Sequence, residues 1–453
     1  MVNVLYIYIV LSVFKAAVIE LPSGILRNVV MLRYEDNERL VRVGPNTPAG
    51  NLFRRYWQPA LLSAELKETD GVPVRVRLLG EDLVAFRDSL GRVGLVGAYC
   101  PHRGAPLFYG RNEKCGLTCV YHGWKFDVEG KCIEQPTELD PHIKDNIKAK
   151  AYPVHESGGI IWAYMGPAKD KPKPPEYEWM RVPETHRFVS RGEQESNYLQ
   201  ALEGGLDTAH VSFLHNDRYD DPNQLVVRDA APRLEVYPTD YGYCYTSTRS
   251  YDDSLQFVRI YQYVMPFQQM RPNLLNLFGH GEKETIPTLR GHLWVPIDDE
   301  HTNVYNWMYA YDSSTPLTKE YIQNEEIKYG HGSDEYIPGT FKFKRNVSND
   351  HLIDRVAQKN GSATGIFGVN AQDRALQEGM GQIVDRTYEH LGTSDKAIIM
   401  MRRLLNEAIS SVEQGSAPKG VDPDLHSVRA YEILIEKNKN WLDIIGDELK
   451  EKW

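Results

Sequence analysis

Cysteine is scarce in this sequence, positive charge is not in excess, and no glycine-rich nucleotide loop occurs. Five cysteines in 453 residues make an odd count. Four of them (Cys100, Cys115, Cys119 and Cys132) share one short stretch, and Cys244 stands apart. That pattern excludes a disulfide-dense secreted scaffold and points to a reducing, cytoplasmic compartment with a local metal site. A formal charge of −10, not gathered in one tail, excludes the basic surface of a nucleic-acid binder. No G-x-G-x-x-G segment is present, so redox chemistry with a nicotinamide would need another protein. After residue 30 no apolar run reaches membrane length, and none is expected to span one. The run Val2 to Ile19 is interrupted by Asn3, Tyr6, Tyr8, Ser12 and Lys15, with no basic segment before it and no A-x-A site after it. Residues 1–30 are therefore read as a non-native or disordered extension with Met31 as the start. A short membrane anchor is the alternative.

What remains is an ordinary globular composition, 42% apolar and 25% charged, in a chain long enough for a substantial core and two or three domains. From Trp57 to Met165 the pattern is short strands and tight turns: Val74–Leu78, Asp82–Arg87, Val93–Tyr99, a hairpin turn at Val128–Lys131 and a buried strand ending at Tyr164. The proline- and lysine-rich stretch Pro167–Pro175 continues neither period and marks a boundary. The expected division is thus an all-β domain over 31–166, lead-in included, and an α+β domain over 167–453. In the second, Ser196–Val211 reads as a helix. Strands are expected within Arg233–Arg249, Val258–Val264, Gly291–Val295 and Val304–Tyr309. Helices follow from Asp373 onward, with Ile398, Met401, Leu404, Leu405 and Ile409 on one face. The fold class is α+β, with a central antiparallel sheet.

Two loops carry the first chemistry. Cys100-Pro-His102 and Cys119-Val-Tyr-His122 each offer one thiolate and one imidazole. Two cysteines on one iron and two histidines on the other make a Rieske [2Fe–2S] cluster, and Gly104 and Gly123 allow the loops to turn tightly over it. A Cys2His2 zinc site is the alternative, although zinc fingers pair Cys with Cys and His with His. Cys115 and Cys132 fall outside the pattern and read as small buried hydrophobes. The second constellation is Asp207-x-x-His210-x4-His215. Asp207 and His210 are read as sharing a helix face, with His215 beyond the helix end. Two imidazoles and a carboxylate compose the facial triad of non-heme Fe(II) oxygenases; histidines with ordinary partners in a buried helix are the alternative.

Taken together, Cys100–Leu107, Tyr121–Phe126 and the Asp207–His215 segment resemble the Rieske non-heme iron ring-hydroxylating oxygenases. Asp385–Asp395 resembles their phthalate dioxygenase branch and is read as structural. Neither loop has the extra cysteine that ties the loops of respiratory Rieske proteins; Ala105 and Val120 stand in those neighbourhoods. The resemblance covers about Met31 to the C-terminal region. It implies a Rieske domain followed by a helix-grip catalytic domain, in a head-to-tail homotrimer. It implies His210 and His215 as iron ligands, with Asp207 relaying electrons from the cluster, through His122 of a neighbouring protomer. It places the third ligand at Asp373, for which a helix N-cap is the plain alternative. It also implies a separate NAD(P)H-dependent iron–sulfur reductase, and O2 as co-substrate with an aromatic compound. Arg249 and Arg233 are candidates for a substrate carboxylate by the same likeness, with exposed strand arginines as the alternative. Phe257, Tyr261, Tyr263, Phe267 and Phe278 are expected as apolar pocket wall. An electron-transfer Rieske protein without oxygenase activity is the competing function.

Overall fold

The computed structural model describes residues 32–215, 224–275, 277 and 286–452. The extension 1–30, Met31 and Phe278 lie outside that set. Two compact units result: Arg42–Pro175 with Val295–Asp299, and Glu176–Trp294 with Glu300 onward and the lead-in to Val41. The division thus falls nine residues later than expected, because the proline-rich stretch packs on the β unit. Trp57 Nε1 donates to the Pro172 carbonyl (3.1 Å), Tyr164 to that of Pro167 (3.2 Å), and Arg55 pairs with Asp170. The lead-in helix Tyr34–Val41 belongs to the other unit: Tyr198 and Asn197 donate to the carbonyls of Leu40 and Val41.

The β unit is three small antiparallel sheets. Val74–Leu78 and Glu81–Arg87 pair in the hairpin that their alternation predicts, and Val93–Gly97 joins them. Lys125–Phe126 and Cys132–Glu134 flank the predicted turn, where Gly130 sits at φ 80°. Phe86, Val96, Leu107, Leu117, Trp124 and Phe126 form its core, with Cys132 buried among them. Cys115 departs from expectation, being half-buried in a left-handed turn.

The larger unit is built on one eight-stranded antiparallel sheet. Its order is Arg187–Gln194, Thr302–Ala310, Thr288–Pro296, Gln268–Asn273, Leu255–Val264, Gly242–Ser250 and Arg233–Pro238, and Tyr431–Glu436 pairs along Leu255–Ile260. That last strand lies where helix was expected to continue. Its mixed polar and apolar residues give no clear period, and its place comes from the open edge it fills. The long helix Lys396–Glu413 buries the predicted apolar stripe. Among the described residues no helix is long and apolar enough to cross a membrane.

Candidate metal centres

The two cysteine–histidine loops are the same turn made twice. In each, the cysteine carbonyl accepts from the glycine four residues on (Gly104 and Gly123, both 2.9 Å), and the cysteine N–H donates one residue further (to Ala105 and Trp124, both 2.8 Å). Both glycines have φ near +75°, conformations that other residues rarely adopt. At Gly123 a Cβ would also meet Pro136 Cγ at 2.6 Å. The rings of His102 and His122 lie 4.5 Å apart, and His102 stacks on Trp124 at 4.3 Å and 8°. His102 Nδ1 is buried with no hydrogen-bond partner, as a ligand atom awaiting its metal would be. Burial, with the charge of Cys119 adding, pushes the Cys100 thiol up to about 11, a penalty that a bound metal would reverse. His122 is lowered by desolvation and by the neighbouring His102 and Arg103.

The donor set also separates a cluster from a zinc ion. A single tetrahedral ion draws its ligand atoms to within roughly 4 Å of one another. Among the described residues only His210, His215 and Asp373 converge within 4.8 Å, and no three of the four loop residues do. Donors spread over a larger span fit a binuclear cluster.

The second centre starts where a helix stops. Tyr198–Leu206 is capped at its start by Asn197 and ends at Asp207, whose backbone is extended. The expected helix to Val211 is therefore shorter, and Asp207 and His210 share no helical face. Asp207 instead closes a turn: Oδ1 accepts the Ala209 N–H (2.7 Å), and Oδ2 lies 3.3 Å from His210 Nδ1. A short 3-10 turn, His210–Ser212, then brings His215 round. His210 Nε2 and His215 Nε2 are 3.1 Å apart, and Asp373 Oδ1 lies 3.4 and 3.3 Å from them. Ligand atoms at right angles around an ion at about 2.1 Å would be about 3 Å apart, so the triangle suits one face of a metal. Asp373 stands inside the helix Val369–Gly379, not at its cap, which is Gly368.

Each imidazole is oriented from behind. His210 Nδ1 faces Asp207, and His215 Nδ1 donates to Gln372 Oε1 (2.8 Å), itself held by its donation to the Ile366 carbonyl. Both rings thus aim Nε2 at the shared point. Burial alone would lower His215, but Asp373 outweighs it and raises the group. Burial likewise opposes ionisation of Asp373, yet His215 and His210 hold it down to about 2. Asp207 is lowered against its own burial by His210 and the Ala209 N–H. Sequence reasoning missed Gln372, for a glutamine beside a ligand carries no pattern of its own.

Beside the triad lie two adjoining cavities. Asp373 lines one of about 470 Å³ with Trp294, Phe343, Arg374 and Gln377. Its neighbour, about 360 Å³, is lined by Arg271, Arg290, Trp307 and Tyr329, and the two share His292, His331 and Asn370. The expected aromatic wall is not brought to either: Phe257 and Tyr263 are fully buried, and Tyr261 and Phe267 nearly so. Nor are the two expected arginines. Arg233 is an exposed strand end, 63% accessible and 3.9 Å from Glu235. Arg249 is buried and donates to the backbone carbonyls of Asp229 and, at 3.1 Å, Thr208. It braces the turn that carries His210.

The sheet-and-helix fold, the paired Cys–His loops and the two-histidine, one-carboxylate triangle together define a Rieske-type non-heme iron oxygenase. Comparison with known proteins agrees. Residues 56–148 match the Rieske [2Fe-2S] domain, and residues 163–451 the family described as LigXa C-terminal domain like. The chain is 37% identical to the 3-chlorobenzoate-3,4-dioxygenase oxygenase subunit of Comamonas testosteroni, over 90% of this chain and 96% of that one. It is 35% identical to the phthalate 4,5-dioxygenase oxygenase subunit of Pseudomonas putida, over 91% and 94%. The solved structure of NdmA from Pseudomonas putida CBB5 shares the fold, with a TM-score of 0.56 at 18% identity, covering 87% of this chain and all of that one. The chain belongs to the Rieske oxygenase family, as a terminal oxygenase component close to the phthalate and 3-chlorobenzoate dioxygenase subunits. The cofactors of that family are a Rieske [2Fe–2S] cluster and a mononuclear iron, and both donor sets fit them.

Proposed function

We propose that Cys100, His102, Cys119 and His122 hold the cluster, that His210, His215 and Asp373 hold the mononuclear iron, and that the substrate is an aromatic carboxylate. The triangle of Nε2, Nε2 and Oδ1 atoms, with both rings oriented from behind, is the observation that carries the reading. Bound there, iron supplies open positions for O2, and the cluster supplies electrons one at a time. The chain's own residues hold the ligands, exclude bulk water and position the ring. His210 presents Nε2 because Asp207 takes its Nδ1–H. Dihydroxylation, monohydroxylation and O-demethylation all draw on this apparatus.

Electrons come from a separate reductase or ferredoxin, in keeping with relatives described as oxygenase subunits; we take the reductase to be NAD(P)H-dependent. The aromatic-acid reading is supported by relatives described as acting on 3-chlorobenzoate, phthalate and phenoxybenzoate. In the homotrimer we propose, Asp207 passes electrons from His122 of the partner subunit to His210. A cytoplasmic setting suits five cysteines that are all free. The test is a visible and EPR spectrum with an iron count, then O2 uptake with 3-chlorobenzoate and phthalate in the presence of a reductase. Three irons per chain and oxygenated product are expected. Two irons per chain and no product would leave only an electron-transfer protein.

A further inference from the structure

The proposed mononuclear ligands arrive on two helices that are distant in sequence. Tyr198–Leu206 leads into Asp207, His210 and His215, and Val369–Gly379 carries Asp373. Chain connectivity does not set one helix against the other, so their register must be held by side chains. A displacement of about 1 Å is enough to spoil a preorganised site.

Gln200 and Gly204 stand one turn apart on the first helix, as Asp373 and Gln377 do on the second. Gln200 is buried, and its amide is fully engaged. Nε2 donates to the carbonyls of Gln377 (2.8 Å) and Gly381 (2.7 Å), and Oε1 accepts the Val384 N–H (3.1 Å). The Gln377 carbonyl is one of the last four of its helix, which have no partner within the helix. An amide side chain answers two carbonyls and an N–H together without burying a charge. One turn further along, a Cβ at Gly204 would run into Gln377 Nε2, while Gln377 Oε1 accepts from Gln194 at 2.8 Å. The first helix thus meets Gln377 one turn from Asp373 and three residues before Asp207. Gly205, Gln377 and Asp373 line the same cavity. The seam continues beyond Gln200: the Asn197 N–H donates to the Gln382 carbonyl (2.7 Å) and the Glu195 N–H to Glu378 Oε1 (2.9 Å).

We propose that Gln200 and Gly204 are positioning residues for the mononuclear metal, holding Asp373 Oδ1 in register with Nε2 of His210 and His215. The site is then brought to its binding geometry by the fold and not by the ion. Gln200 acts through the end of the Asp373 helix. Gly204 acts by admitting Gln377 where a larger residue would push it away. Such preorganisation shows in metal affinity and in the symmetry of the metal's surroundings, which a purely structural contact would leave alone. The inference rests on the triad reading above.

The experiment takes the full chain with its cluster intact and oxidised, removes the mononuclear metal with a chelator and titrates Co(II). Calorimetry gives the affinity, EPR of the bound cobalt its symmetry, and a melting curve the stability. Gln200→Met should weaken cobalt at least tenfold and alter its EPR line shape, the loss expected when support behind metal ligands is removed. Gly204→Ala should weaken it at least threefold without lowering the melting temperature, because alanine favours the helix that glycine disfavours. Tyr198→Phe loses a bond from the same helix to the Leu40 carbonyl, away from the seam, and should leave cobalt affinity and line shape unchanged. If Gln200→Met does not fold, Gly204→Ala decides alone. Unaltered cobalt affinity in Gly204→Ala, or a loss in Tyr198→Phe as large as in Gln200→Met, would overturn the proposal. Full cobalt affinity in Asp373→Ala would instead refute the triad reading on which it rests.

Discussion

The two metal-binding regions both depend on a pair of histidines, yet they hold them by different means. In the β unit all four proposed ligands come from two copies of one backbone turn, braced by main-chain hydrogen bonds and by His102 lying flat on Trp124. Among the described residues no carboxylate is hydrogen-bonded to His102, whose buried Nδ1 is left to the metal. In the larger unit the proposed ligands come from a loop and from a helix more than 150 residues later. There each imidazole has a side-chain partner, Asp207 or Gln372, and the third ligand is itself charged. One centre is a property of local backbone and the other of tertiary assembly. Disturbing a side chain should therefore matter in different ways at the two sites.

The largest expected effect is at the assembled site. Asp373→Ala should leave two irons per chain, keep the visible Rieske spectrum and abolish turnover; iron analysis with oxygen uptake decides it. Full activity would remove Asp373 from the triad. Next comes Asp207→Ala, which should keep the cluster reducible and most of the iron bound. Loss of a partner behind a metal-bound imidazole typically costs about 10- to 100-fold, and interrupting electron transfer would add to that. Stopped-flow reduction against single-turnover product yield separates the two steps.

Arg249→Leu should lower turnover of an aromatic acid and of its neutral amide alike, since the side chain supports the Thr208 carbonyl and lines neither cavity beside the triad. Leaving two buried carbonyls without a donor should also cost about 1–3 kcal/mol of stability. A selective loss with the acid would return Arg249 to the substrate. The smallest effect concerns Glu378, whose Oε1 accepts the Glu195 N–H while Oε2 is buried 3.5 Å from His351 Nε2 without a hydrogen bond. Burial pushes it up to about 7 from an ordinary 4.5. Between those values the folded protein binds the proton more tightly than the unfolded chain, so stability falls as pH rises from 4.5 and levels off above 7. Glu378→Gln should flatten that decline, by about 1–3 kcal/mol across the window. A melting curve series from pH 5 to 8 measures it.

The same contrast explains what could be read in advance. The Cys–His loops were legible because ligands, spacing and glycines lie within 24 consecutive residues, and their chemistry is local. The strands of the β unit followed from period-two alternation. His210 and His215 were legible as a pair, but the supposed helix face was not real; Asp207 meets His210 because it ends the helix. Asp373 could be placed only by resemblance, for no periodicity links residues so far apart. Gln372 left no trace in sequence, since it matters through His215, a neighbour that only the fold supplies. Where Arg249 and Arg233 end up could not be read for the same reason: a strand arginine does not disclose which face it takes or what it will meet. The late strand Tyr431–Glu436 was hidden inside a segment of helical pattern.

That strand has a consequence for how the protein is made. Tyr431–Glu436 lies along Leu255–Ile260, one of the inner strands of the eight-stranded sheet. While the ribosome is still reading the middle of the message, the sheet has an uncovered stretch that only residues near the end of translation can close. Residues 42–175, by contrast, emerge early and need only Val295–Asp299 to complete their unit. At about 5–20 residues per second the gap between the two events is on the order of tens of seconds. Through that interval the nascent catalytic half presents a template for strand addition, so chaperone occupancy should concentrate on chains stalled between roughly residues 310 and 430.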